Sequence, residues 1–168
     1  MIRIEPAPAG AVRPLRAAVL RPGLPLAESV YPDDERATHL AAIDDAGAVV
    51  GCVTVFARQW PTELAPGLPE LPAPHPGVAW QLRGMATEES VRGTGLGGRL
   101  LVAALEAARD GGADWLWCNA RTHALGFYAR YGFAVGEAEY PSGPHHVPHH
   151  RAWIPLRTDG AEVGSARP

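Results

Sequence analysis

The segment Arg92-Gly93-Thr94-Gly95-Leu96-Gly97-Gly98-Arg99 constrains this chain more than any other, because its glycines sit between a strand-like stretch, Trp80 to Thr87, and a long helical pattern. Such a segment has little side chain to bury and must be a backbone-lined turn. Glycine leaves main-chain N–H groups uncovered by Cβ atoms, and here they stand at the positive end of the following helix, where a phosphate can approach. In that helix Leu96, Leu100, Leu101, Ala104, Leu105 and Ala108 recur at helical spacing, with Arg99, Glu106 and Arg109 off the stripe, and Gly111-Gly112 ends it.

Three kinds of phosphate loop can be written with these glycines. A P-loop closes on Gly-Lys-Ser/Thr, and the chain has no lysine. The dinucleotide pattern G-x-G-x-x-G is matched by Gly93, Gly95 and Gly98, but that turn follows directly on its strand, whereas Glu88 to Arg92 intervene here. The acidic residue it needs would be Asp114, which precedes the next strand instead of ending it.

The third kind fits its surroundings. Arg92 to Gly97, read as Gln or Arg, two residues, Gly, one residue, Gly or Ala, resembles the acetyl-CoA pyrophosphate loop of the GNAT superfamily of N-acetyltransferases. Leu82 to Thr87 resembles the strand before that loop, and Ala124 to Phe133 resembles the family's A-x-x-F-Y-x-x-x-G-F helix. The resemblance implies an α/β fold with a mixed, mostly antiparallel central sheet, splayed central strands at 80 to 87 and 114 to 120, and flanking helices. It also implies acetyl-CoA as co-substrate, a primary amine of a small molecule or peptide as acceptor, and the family's habit of forming homodimers.

The same resemblance assigns the site. Backbone groups of Met85, Ala86 and Thr87 would pair with pantetheine, and an N–H there would polarise the thioester carbonyl. Amides of Arg92, Gly93, Thr94, Gly95, Leu96, Gly97 and Gly98 would hold the pyrophosphate, with Arg92 and Arg99 as ionic partners. Tyr128 occupies the family's general-acid position; a phenol of ordinary pKa ~10 stays protonated at neutral pH and can serve a departing thiolate. The family's frequent Asn is replaced by Arg121, and Asn119 two residues earlier is the remaining candidate for a CoA contact. For the base, His145 in Gly143-Pro144-His145 resembles an element before the last strand of some members, and an imidazole's ordinary pKa of ~6.5 suits amine deprotonation. Glu88, Glu89 and a water chain are the alternatives. The cluster His145-His146-x-x-His149-His150 lacks cysteines at zinc spacing, so no metal is expected. A catalytically silent acyl-CoA-binding module is the competing reading.

Along the rest of the chain, residues 1 to 7 read as a strand and 10 to 20 as a helix stopped by Pro22-Gly23. Arg16 and Arg21 on it either meet an acidic acceptor group or are solvated helix charges. Thr38 to Ile43 and Ala48 to Arg58 read as a hairpin over Asp44 to Gly47. The prolines between Trp60 and Val78 exclude regular structure there, leaving a long loop that either walls the acceptor site or merely connects. Ala113 to Ala120 is a short apolar strand, Thr122 a candidate N-cap for a helix to Tyr131, and Phe133 to Tyr140 with Arg151 to Leu156 a closing pair turning at 141 to 144. Residues 1 to 157 are expected to form one domain, and 158 to 168 a fraying tail.

With 20% charged residues and a formal net charge of -3, nothing in the balance calls for nucleic acid or an anionic membrane. All 15 basic residues are arginine, a coding bias in this Ala-, Gly- and Pro-rich chain that carries no motif. Cys52 and Cys118 lie in apolar strand-like segments and read as buried reduced thiols. With no leader and no apolar run of spanning length, a cytoplasmic protein is expected.

Overall fold

A computed structural model describes residues 1–63, 70–143 and 145–157; the tail expected at 158 to 168 and Pro144 of the Gly-Pro-His element lie outside them. The chain runs β1 (Arg3–Ala7), α1 (Ala9–Leu20), two short 3-10 turns (Leu26–Ser29 and Asp34–Arg36), β2 (Thr38–Ile43), β3 (Val49–Ala57) and β4 (Ala79–Thr87). After a 3-10 turn at Glu89–Val91 come α2 (Leu96–Asp110), β5 (Trp115–Arg121), a further turn at Thr122–Ala124, α3 (Leu125–Arg130), β6 (Ala134–Ser142) and β7 (Val147–Pro155).

The strands form one seven-stranded sheet in the order β1-β2-β3-β4-β5-β7-β6, antiparallel except between β4 and β5. The β-branched run of β3 is buried on both faces, as a central strand requires. Val12 and Leu15 of α1 cover one face over Ala41, Cys52 and Ala86. Leu96, Leu100, Leu101, Ala104 and Ala108 of α2 cover the other over Val50, Val53, Val55, Leu82 and Leu116. The expected Asp/Gly hairpin turn forms with the Asp44 carboxylate accepting from the N–H groups of Ala46 and Ala48.

β4 and β5 pair only at Ala79–Gln81 against Trp115–Trp117. Beyond that point β4 stays with β3 and β5 with β7, so the sheet opens into a V. In β4, Gly84 and Met85 together oppose the single Val53, a bulge whose Gly84 has φ +60, a conformation that glycine adopts without strain. The closed end is clamped by Trp60, Trp115 and Trp117, with ring centroids 5.6 and 5.8 Å from Trp60, and by Trp153 at 5.7 Å. The Arg151 guanidinium stacks 4.4 Å from Trp60 and donates to the Pro61 carbonyl at 3.0 Å. The described part of the proline-rich loop is thus tied to this clamp.

Three local expectations need correction. The closing hairpin is longer than the prolines suggest: Pro141 and Ser142 remain in β6 opposite Pro148 and Val147, and beyond them the His146 N–H donates to the Gly143 carbonyl at 3.1 Å. β6 is an edge strand and Pro148 lies beyond the last β5–β7 pair, Arg121 with His149, so neither proline removes an interior ladder bond. Thr122 does not cap a helix; its hydroxyl donates to Glu139 at 2.9 Å, and α3 begins only at Leu125. Arg16 is neither solvated nor free for an acceptor: it is fully buried, with Nη1 and Nη2 on Asp34 at 3.0 and 2.5 Å and Nη2 also on the Ser29 carbonyl at 2.5 Å.

Candidate functional site

Two cavities occupy the open V and the cradle beside it. One, of about 710 Å³, is lined by Met85, Ala86 and Thr87 of β4, by Arg92, Gly93, Gly95, Gly97 and Gly98, and by Phe127, Tyr128 and Tyr131. The other, of about 680 Å³, reaches from the end of α1 across β4 and β5 to the β6–β7 turn. They share Met85, Ala86, Thr87, Arg92, Ala124 and Tyr128 as lining, so the two spaces meet between β4 and the start of α3.

The cradle presents an uncapped helix N-terminus to the first cavity. Gly95 is the N-cap of α2 at φ +83 and no side chain caps the helix. The first intrahelical bond is Arg99 N–H to the Gly95 carbonyl at 3.2 Å, so the N–H groups of residues 96 to 98 have no intrahelical acceptor. A Cβ at Gly93 or Gly95 would meet open space, the room a phosphate needs. Gly98 has a different reason to lack a side chain: a Cβ there would lie 1.8 Å from the Tyr131 hydroxyl, so this glycine lets α3 close over the first turn of α2.

Not every residue expected at the cradle faces it. The Leu96 side chain is buried in the core, the Thr94 hydroxyl donates to the Val91 carbonyl at 2.7 Å within the turn, and Arg99 donates to the Ile2 carbonyl at 2.8 Å. Arg99 therefore ties α2 to the N-terminal segment and lines neither cavity. Arg92 lines both cavities. Asn119 lines only the second space, toward the hairpin, where its Oδ1 accepts from the Tyr140 hydroxyl at 2.6 Å.

Tyr128 stands where the cavities meet. Burial, with the Cys118 thiol beside the phenol, pushes its pKa well above the ordinary 10. Burial likewise pushes the Cys118 thiol up to about 12 and the Cys52 thiol up to about 11, so both cysteines are protonated and buried. Of the candidate bases, His145 lines the second cavity from the exposed turn, whereas Glu88 and Glu89 line neither.

The structure brings in residues that the sequence pattern left out. His149, expected in a loop, lies in β7 and faces the second cavity. Its Nδ1 stands 2.6 Å from the Val147 carbonyl, which can only accept, so Nδ1 carries a proton and Nε2 is the basic nitrogen. Burial, reinforced by Arg121 and His123, holds its pKa below 6.5 against the opposing pull of that carbonyl. Tyr31 and Arg83 also line this cavity, the guanidinium 3.5 Å from the ring centroid. The run Val147 to Pro155 has no clean apolar–polar alternation, so residue type alone does not separate His149 from its neighbour His150. No three metal-ligating side chains converge among the described residues.

The family model for the acetyltransferase (GNAT) domain matches residues 35–135. The chain is 30% identical over 123 residues to the uncharacterized N-acetyltransferase YitI of Bacillus subtilis, spanning 71% of this chain and 73% of that protein. In fold it is similar to Escherichia coli ElaA, with a TM-score of 0.67 at 19% identity over 91% of this chain and 99% of that one. It is similar also to an IAA acetyltransferase from Bacillus cereus, with a TM-score of 0.67 at 18% identity over 92% and 99%.

Proposed function

The chain belongs to the GNAT acetyltransferase family, and from that premise we propose that it moves the acetyl group of acetyl-CoA directly onto a primary amine of a small molecule or peptide in the cytoplasm. The observation that carries this reading is the meeting of two cavities at one phenol: an uncapped helix N-terminus lies on one side and a space for an acceptor on the other. Acetyl-CoA would supply the activated thioester. Free N–H groups at 96 to 98 and Arg92 would hold its pyrophosphate, while backbone groups of Met85 to Thr87 at the β4 bulge would align pantetheine and polarise the carbonyl.

His149 Nε2 takes the proton that the acceptor ammonium gives up on entering the cavity, and the neutral nitrogen forms the new C–N bond. His145, at the rim, is the second candidate for this step. As the C–S bond breaks, Tyr128 gives its phenolic proton to the sulfur. The burial that raises the Cys118 thiol and the Tyr128 phenol would raise the proton affinity of a thiolate leaving into the same cleft in the same direction, which favours its taking the phenolic proton. The second proton shed by the nitrogen restores the phenol.

Calorimetric titration with acetyl-CoA, CoA and NAD, followed by free-thiol release over a panel of amines, tests the proposal. Binding of acetyl-CoA and CoA but not NAD, with thiol release on one amine class, is the expected result. Tight binding without release from any amine would favour the silent acyl-CoA module, and no binding of acetyl-CoA would refute the reading.

A further inference from the structure

The acceptor cavity has a charge pattern that the proposed chemistry does not require. Its lining includes Arg21, Arg83, Arg92 and Arg121 and, among the described residues, no aspartate or glutamate. An amine that arrives as a cation finds no carboxylate there, so attraction for the substrate has to come from elsewhere in the molecule.

The arginines are not equivalent. Arg121 is engaged, donating to the Leu20 carbonyl at 3.0 Å, and Arg92 borders the cradle. Arg83 and Arg21 are the remaining pair, with guanidinium carbons 3.5 and 5.2 Å from the Tyr31 ring centroid. Neither has a carboxylate within ion-pair distance among the described residues. The acids of the neighbouring loop are used internally: Asp34 is gripped by Arg16 with Arg13 at 3.7 Å, and Asp33 lies 3.1 Å from Arg36 and 3.8 Å from Arg58. Burial pulls the Arg83 guanidinium's pKa down, and the nearby Arg58 and Arg16 pull the same way, against the opposing pull of Tyr31 and of the more distant Asp34.

The platform is built in. The Tyr31 N–H donates to Asp34 Oδ2 at 3.1 Å, and a Cβ at Gly84 would lie 2.8 Å from Arg16 Cδ and 3.4 Å from Tyr31 Cε2, so the bulge glycine lets this layer press onto β4. Stacking on Tyr31 holds the planar Arg83 fork in one orientation, which suits two-point recognition of an oxyanion. Arg83 precedes Met85 by two residues on one strand, and the bulge between them keeps the separation at or below the roughly 7 Å of a regular rise. A small molecule spans that distance.

On the acetyltransferase reading above, we propose that the acceptor carries an oxyanion, carboxylate or phosphate, and that Arg83 on Tyr31, with Arg21, binds it while the amine of the same molecule faces Tyr128. Amino acids or phosphorylated amines fit this site; polyamines do not.

Matched probes test it: L-phenylalanine against L-phenylalaninamide, and O-phosphoethanolamine against ethanolamine, with spermidine as the cation. Each is titrated calorimetrically into the free protein and the CoA-saturated protein, and assayed for thiol release with acetyl-CoA. At least one anionic probe should exceed its partner tenfold or more in affinity or kcat/KM, and which pair does so tells carboxylate from phosphate. Arg83→Gln should weaken that probe about 30-fold through Kd or KM, with acetyl-CoA affinity and melting temperature unchanged, and Arg83→Lys should recover part of the loss. Uncharged or cationic probes performing as well as anionic ones, no anionic probe either binding or reacting, or an Arg83→Gln protein indistinguishable from the parent would each overturn the inference. Failure of acetyl-CoA to bind would instead remove the acetyl-transfer reading, while the titrations of free protein still judge the anion site.

Discussion

Replacing Arg16 by Met isolates what the buried ion pair does. The side chain is fully buried, and Met fills a similar volume, so the loss is mainly electrostatic. Three charge-assisted contacts disappear, two to Asp34 and one to the Ser29 carbonyl, and a buried carboxylate loses its bidentate partner. Breaking a buried pair from one side costs about 3–5 kcal/mol. Arg13, 3.7 Å from Asp34, remains and offsets part of this, which places the expected loss near ~3 kcal/mol, or about 6–12 °C in Tm for a domain of this size.

The sign of the pH dependence follows from Asp34. Burial raises its carboxyl pKa, but the Arg16 hydrogen bonds, the Tyr31 N–H and the neighbouring cations outweigh that and hold it below the usual value. A depressed carboxylate contributes stability above the unfolded pKa of about 3.9 and loses it as pH falls through the lower folded value. The gap between parent and Arg16→Met should therefore be full at pH 7 and shrink below pH 4. Arg16→Met with Asp34→Leu removes both charges and should be more stable than Arg16→Met alone. Urea unfolding of the three variants at pH 7 and pH 3.5 reads this directly. A single variant within 1 kcal/mol of the parent, or a double variant no better than the single, would refute the reasoning.

Tyr128→Phe should lower kcat by about 10²-fold with acetyl-CoA affinity nearly intact, since only the proton donor is lost; unchanged turnover would remove the phenol from the mechanism. His149→Ala should abolish an acid limb in the kcat/KM profile whose midpoint lies below pH 6.5, where the buried imidazole takes up its proton; the parent profile surviving in His149→Ala but not in His145→Ala would transfer the role to the rim histidine. Cys52 and Cys118, buried with thiols pushed up to about 11 and about 12, should react with a disulfide reagent at neutral pH only after denaturation, and fast labelling of the native protein would contradict their burial.

The cradle was legible because its signals are local: glycines, a strand before them, a helical stripe after. The same holds for β2 and β3, where an Asp/Gly turn separates two apolar runs. Legibility fails where a residue's environment is made by distant chain. Arg16 sits on the α1 stripe with Val12 and Leu15 at helical intervals, a position that signals burial, but its partner Asp34 is one acid among several in Asp33-Asp34-Glu35. Arg99, beside the cradle in sequence, is drawn to Ile2 by a contact that no local pattern announces. Pro141 and Pro148 read as turn residues because a proline signals a break unless the strand is known to lie at an edge, and edge position is a property of the whole sheet.

That difference separates the two halves of the site. The half that would meet the co-substrate is written in one continuous segment and rests on backbone groups, so it can be read from residue type alone. The acceptor half is assembled from α1, the loop after it, β4, β5 and the last hairpin, and its character lies in what is missing: a cavity with several arginines and no carboxylate of its own. Asp34 is the reason. By taking up Arg16 it anchors the loop that carries Tyr31, and by being consumed there it leaves Arg83 without a directly paired carboxylate among the described residues. One buried pair thus both builds the platform and leaves its charge for the substrate, so Arg16→Met should disturb the recognition of anionic acceptors as well as the stability of the fold.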